Sequence, residues 1–303
     1  MGGCCCKRRE REERRCEGGE INRLLPAEML ERVFRLLTNQ DLMTVVQVCR
    51  RWREVGEAPI LWPSLRLPTV NQGNLDVLSE LLLYSKRLQA LEALVARAVS
   101  EDLLVAVAQH KNLRRLDIAN FCNSSVEPTV LARAICQMEK VDMGRSIFSP
   151  AQANVIFQSL AQGSNVNILS LFHTNLSIVK PQLLASAVTQ VGQITLWSSQ
   201  LTTKQIEAIF GALTTPGKLR ILDISYNNLS TVNPKVLAVT VNSLESVDLG
   251  CTSLRGEQVN AILSETLVAT SLTSLWISGV KGEVDRETVV KTAKIIPELR
   301  VLW

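Results

Sequence analysis

The side chains most able to do chemistry in this 303-residue sequence are its two histidines and eight cysteines, together with a set of recurring aspartates. His173 stands beside Phe172, and Asp117, Asp142, Asp223 and Asp248 return at similar places in a repeated pattern, so a His–Asp pair able to move a proton is conceivable. An aspartate that returns at one register is more simply read as facing solvent across neighbouring strands. No nucleophile with its base, carboxylate pair in a cleft, or metal cage is legible. Cys4, Cys5 and Cys6 are adjacent, whereas Cys16, Cys49, Cys122, Cys136 and Cys251 stand singly. With no C-x-x-C pair and only His110 and His173 to add, a zinc site has almost nothing to build from. The glycines of MGG and EGGE have no strand–loop–helix context, so a phosphate loop is not expected either. The expectation is a chain with no catalytic residues, no metal and no cofactor.

Composition narrows the remaining classes. At 46% hydrophobic and 20% charged, the chain has enough apolar surface for a large core. A net charge of +4 and only 4% aromatic residues give little support for a nucleic-acid surface. No signal peptide or membrane-spanning run is legible, which predicts a cytoplasmic protein.

Residues 1–23 carry seven basic and five acidic side chains and read as a solvated tail. Its start, Gly2 followed by Cys4, Cys5, Cys6 and then Lys7, Arg8 and Arg9, resembles the amino termini of dually acylated peripheral proteins. Acyl chains combined with basic residues hold a protein at an anionic surface more firmly than one chain alone. Cys6 stands where the myristoylation pattern has Ser or Thr. Acylation of Gly2, Cys4, Cys5 and Cys6 with attachment to a membrane surface, and an unmodified tail, both remain open.

Beyond residue 60 the chain repeats. The pattern L-x-x-L-x-L begins at Trp62, Leu88, Leu113, Met138, Val166, Val191, Leu219, Leu244 and Leu272, with a stub at Leu299. From Leu113 to Leu272 the steps alternate between 25 and 28 residues, a combined period of 53. The same period relates Pro128, Pro181 and Pro234, and also Gln152, Gln205 and Gln258 and then Ile156, Ile209 and Ile262. Proline suits the first position of a helix, where its missing N–H has no intrahelical partner. Each unit therefore reads as a strand followed by a helix.

This pattern resembles the leucine-rich-repeat family, in its form with alternating short and long units. The resemblance implies an α/β solenoid, a horseshoe of residues 63–303 with parallel strands on its concave side. At the turn position usually held by Asn or Cys stand Phe121, Ser146, Thr174, Ser199, Asn227, Thr252 and Val280. Ser and Thr can bond the turning backbone but Phe121 and Val280 cannot, which makes those two turns doubtful. The sequence stops at LRVLW, predicting a strand edge that a partner or further sequence would cover.

With the leucines inward, the intervening positions face the concave side. Those expected to bind a partner are Asp142, Phe172, His173, Trp197, Asp223, Tyr226, Asp248 and Trp276. Phe172 and Trp197 share a register in adjacent units, so their rings should sit side by side at roughly 4.8 Å. Either these rings fold down over the strand leucines or they form an exposed hot spot for a protein.

The stretch from Leu25 to Trp52 positions a separate head. Leu30, Val33, Phe34 and Leu37 form one apolar stripe with Met29 and Leu36 to its side. Leu42, Val45, Val46 and Cys49 form a second, widened by Val48 and Trp52. Thr38 with Asp41 resembles a capping box between two helices. This arc exceeds that of a one-sided surface helix, so its surplus packs either on the first repeat or on another polypeptide.

Residues 24–62 resemble the F-box through Leu25-Pro26, Glu28, Leu30, Val33-Phe34, Leu36-Leu37, Asp41-Leu42, Val45, Val48-Cys49-Arg50, Trp52 and Leu61-Trp62. The resemblance implies a three-helix module that docks on the Skp adaptor and through it on a cullin–RING ubiquitin ligase. Leu25, Pro26, Glu28, Leu30, Val33, Phe34, Leu37, Leu42, Val45 and Trp52 would divide between the adaptor and the module's own core. The repeats would then recruit a target protein for ubiquitination. The other reading is a repeat scaffold without a ubiquitin role, tethered to a membrane if its tail is acylated.

Overall fold

The computed structural model describes residues 25–62, 64–67, 82, 90–93, 99–215 and 217–302. The tail with Gly2, Cys4, Cys5, Cys6 and Cys16 lies outside them.

The head holds three short helices: α1 (Ala27–Phe34), α2 (Asn39–Val45) and α3 (Arg50–Gly56). Thr38 starts α2 by accepting the Asp41 N–H at its hydroxyl, at 3.2 Å. The apolar run from Leu42 to Trp52, read from sequence as one helix, breaks after Val45, and Cys49 adopts extended backbone to begin α3. Leu42, Met43, Val45, Val46 and Cys49 are all buried across that break. Trp52 meets Phe34 edge to face at 5.5 Å, and the buried Trp62 indole donates to Gly56 O. The core of the head is continuous with that of the following strands.

After the head, strands and helices alternate. Ten strands form one sheet in sequence order: β1 (Ser64–Leu67), β2 (Ala90–Ala93), β3 (Arg115–Asp117), β4 (Lys140–Asp142), β5 (Ile168–Ser170), β6 (Gln193–Thr195), β7 (Ile221–Asp223), β8 (Ser246–Gly250), β9 (Ser274–Ser278) and β10 (Glu298–Leu302). Every pairing is parallel. The described helices between them are α4 (Glu101–Gln109), α5 (Pro128–Cys136), α6 (Pro150–Gln162), α7 (Pro181–Val188), α8 (Thr203–Ala212), α9 (Pro234–Asn242), α10 (Gly256–Thr266) and α11 (Arg286–Thr292). An all-parallel sheet in strict sequence order is compatible with a solenoid.

Register explains the numerical pattern. The middle residue of each short strand, Leu116, Val141, Leu169, Ile194 and Leu222, is buried, while its two neighbours are at least partly open. Pro128, Pro181 and Pro234 open α5, α7 and α9. The recurring glutamines join units. Each sits at the third residue of its helix, where its side-chain oxygen accepts the cap residue's N–H: Gln152 from Ser149, Gln205 from Thr202, Gln258 from Arg255. Their Nε2 groups donate to two carbonyls of the preceding unit, Asn123 and Val126, Leu176 and Val179, and Leu229 and Val232, all at 2.7–3.0 Å. One buried amide thus caps its own helix and fixes the distance to its neighbour.

Two expectations need correction. Leu299 pairs with Leu275, which is the second leucine of its unit rather than the first. The last unit therefore begins at the buried Ile296, three residues before the Leu299 expected from the pattern. The turn at Phe121 also closes. The Phe121 N–H donates to Ile118 O and to the Ser146 hydroxyl of the next unit, each at 3.2 Å, while the buried Phe121 ring stacks on Phe148 at 5.9 Å. Thr174, Ser199, Asn227 and Thr252 bond turning carbonyls as their residue types suggest.

Candidate functional site

Two surfaces gather the singled-out residues. On the head, α1 has an inner and an outer stripe. Leu30 and Phe34 are buried, with Leu37 partly buried behind them. Pro26, Met29, Val33 and Leu36 follow one another at helical spacing on the outer side, and the last three are 44%, 47% and 86% exposed. Val33, grouped by spacing with Leu30, belongs to the outer stripe. Leu42 and Val45 are in the core, Leu25 and Trp52 are partly buried, and Glu28 is exposed. Val48 and Ile60 add 43% and 44% exposed apolar side chains. The surplus apolar surface is therefore not covered by the first strands.

Residues 23–68 match the family model described as F-box-like. This segment is an F-box-like domain. The match places the outer stripe of α1 and the start of the sheet within one recognised module. The search of curated proteins returned no match. Beyond residue 68 the description of the chain therefore rests on its own geometry.

On the second surface, the strand ends carry aspartates and the turns just beyond carry rings. Asp142, Asp223 and Asp248 are partly buried, and the Oδ1 of each accepts the N–H two residues on, from Gly144, Ser225 and Gly250 at 2.8–3.1 Å. Asp117 does the same with Ala119. A repeated Asp here is first a turn-former. Asp223 and Asp248 are register partners on adjacent strands. Burial, and then the Asp223 charge, raise the Asp248 carboxyl above its ordinary value despite the opposing bond from the Gly250 amide.

Beyond these strand ends the backbone turns through positive φ at Asn120, Arg145, His173, Ser198, Tyr226, Cys251 and Gly279, at the same register in each unit. This corner continues the parallel ladder, as where the His173 N–H donates to Trp197 O, and it brings side chains of successive units into contact. Phe172 and Trp197 stack with centroids 6.0 Å apart and planes 20° from parallel. The spacing exceeds that of the strands because offset rings slide past each other. His173 packs on Trp197 at 4.4 Å, and Tyr226 meets Trp197 edge-on at 5.9 Å. No described aspartate hydrogen-bonds His173. The His–Asp pair conceivable from sequence is thus not assembled here.

The rings are half packed and half open. A Cβ on Gly144 would lie 2.0 Å from Phe172 Cε1, so the ring rests directly on that glycine. Phe172 and Trp197 are partly buried, and Tyr226 is 59% exposed. A hydrogen bond with the exposed Cys251 thiol raises the Tyr226 phenol above its ordinary value. Trp276 lies apart from the cluster, on β9 in register with Asp248 and Arg300.

Two arginines cover rings of this surface: Arg145 stands at a position that the repeat places on the concave side, whereas Arg300 is not legible from the pattern. Arg145 sits over the Phe172 ring at 5.6 Å, and Arg300 over the Trp276 ring at 5.0 Å. The 25- and 28-residue steps do carry the first signal, because they put Gly144 in the register of Phe172 and Arg145 one place beyond. Among the described residues no group of three or more His, Cys, Asp or Glu could hold a metal ion, and no helix is long and apolar enough to cross a membrane.

Proposed function

We propose that this chain is the substrate-recognition subunit of a Skp–cullin–F-box ubiquitin ligase, with no active site of its own. The F-box-like head docks on the Skp adaptor through the outer stripe of α1. The strand–helix units, read as leucine-rich repeats, present a target protein on their open sheet face. One observation carries this reading: within an F-box-like domain, Met29, Val33 and Leu36 remain exposed although the first strands already pack on that domain's core. Burying a side chain of that size is worth roughly 1.5–3 kcal/mol, so three or four supply a gross driving force that survives the cost of association. Catalysis is by proximity: a held target meets, at raised effective concentration, the ubiquitin donor carried elsewhere in the complex. The protein would act in the cytoplasm, or at a membrane surface if the tail is acylated.

The test is co-purification with the Skp adaptor. Wild type should retain the adaptor, and changing Leu25 and Pro26 together to Ala should release it. A chain that never retains the adaptor would instead be a repeat scaffold without a ubiquitin role.

A further inference from the structure

The ring-bearing corner of the sheet is supplied with cations at two places and lacks them between. Arg145 covers Phe172, and Arg300 covers Trp276. Among the described residues no Lys or Arg lies over Trp197 or Tyr226, which contact each other at 5.9 Å. The adjacent carboxylates are in the same condition. Asp223 and Asp248 face each other across β7 and β8, and neither has an ion-pair partner among the described residues. Each engages Oδ1 with its own turn, and Asp223 also accepts the Ser225 hydroxyl. Strands β5 to β8 contribute Ile168, Ser170, Gln193, Thr195, Ile221 and Ser246 beside these acids, and no cation.

We propose that this interval, Trp197, Tyr226, Asp223 and Asp248, binds an arginine or lysine side chain projecting from an extended basic segment of the recruited protein. The proposal rests on the target-recruiting role above and names the chemistry it would recognise. Carboxylates two strands wide and an open ring together match a guanidinium or ammonium head with its apolar stem. The chain itself shows the mode twice, with arginines seated on rings of the same sheet. Burial and the neighbouring charge hold Asp248 above its ordinary value, and the positive charge of an incoming cation opposes that shift. An acidic segment would meet the reverse field.

The net charge of +4 makes the test clean, because a polycation has no general attraction to this chain. Fluorescein-labelled hexa-arginine and hexa-glutamate peptides are titrated with the purified full chain and followed by anisotropy. Hexa-arginine should bind saturably and hexa-glutamate should not. Asp223→Asn with Asp248→Asn should weaken hexa-arginine about tenfold or more, since Asn keeps the Oδ1 acceptor for the turn and removes only charge. Trp197→Ala should weaken it as well. Removing two helix-borne acids, Glu207→Gln with Glu265→Gln, should leave it unchanged. Thermal melting of each variant separates lost binding from lost folding. Undiminished binding by the Asp pair variant, or hexa-glutamate binding as tightly as hexa-arginine, overturns the proposal. Adaptor co-purification from the same preparations reads the head alone. Its failure with peptide binding intact would remove the ligase role, and the opposite result would remove only the basic-segment assignment.

Discussion

The head and the repeated units treat apolar surface in opposite ways. In the units, a residue that cannot be buried by its own strand and helix is buried by the next copy: Phe121 lies under Phe148, and Gln205 reaches back to Leu176 and Val179. The head occurs once and has no next copy. Its inner stripe is buried, while Met29, Val33 and Leu36 remain outside. Surface that a repeat resolves internally must, in an unrepeated module, be covered by something else.

The sharpest way to break this contrast is at the glutamine that joins units. Gln205→Leu leaves the Val179 carbonyl and the helix-cap N–H of Thr202 without the partners it supplies, and the Leu176 carbonyl with only the Val179 N–H, and should cost about 3–5 kcal/mol, read as a lowered midpoint in urea. Leu30→Ala, in the inner stripe, should cost about 3 kcal/mol by opening a cavity. Its neighbours on the outer stripe should behave differently: Val33→Ser with Leu36→Ser should change stability by no more than about 0.5 kcal/mol. Equal losses in the two stripes would mean that the outer one is also core. Gly144→Ala should cost about 1–3 kcal/mol, because the new methyl displaces the Phe172 ring and with it the stack on Trp197, a change visible in near-ultraviolet circular dichroism.

Smaller effects sharpen the description of the units. Burial raises the Cys136 thiol to about 11, so at pH 8 it is protonated and should resist iodoacetamide, while the exposed Cys122 and Cys251 react, as peptide mapping would show. Asp248→Asn should slightly stabilise the fold at pH 7. Because the folded-state value is raised, ionisation is disfavoured on folding. The penalty is absent below the ordinary aspartate value and complete above the raised one. Solvent screening of this half-open carboxyl limits the gain to about 0.5 kcal/mol, and the gain should vanish in acid.

Much of this was legible in the sequence because a period leaves the same trace many times. The 25- and 28-residue steps located the strands, and the prolines located helix starts. The period said that Gln152, Gln205 and Gln258 mattered but not how, since their partners lie 26 and 29 residues back and become neighbours only after stacking. Where a feature occurred once, spacing alone misled. Val33 and Leu30 are close in helical angle, and only the placement of α3 decides which faces the core. The register at Ile296 was hidden because its unit is 24 residues from Leu272 rather than 25 or 28. The cations on Phe172 and Trp276 depend on where long side chains lie, which a strand pattern does not state.

The most direct test of the account is calorimetric titration of the Skp adaptor with purified wild-type chain and with the Val33→Ser, Leu36→Ser variant, both first shown to melt at the same temperature. The account predicts saturable binding by the wild type and a loss of about tenfold or more in the variant. Equal affinity of the two chains, or no binding by either, would contradict it.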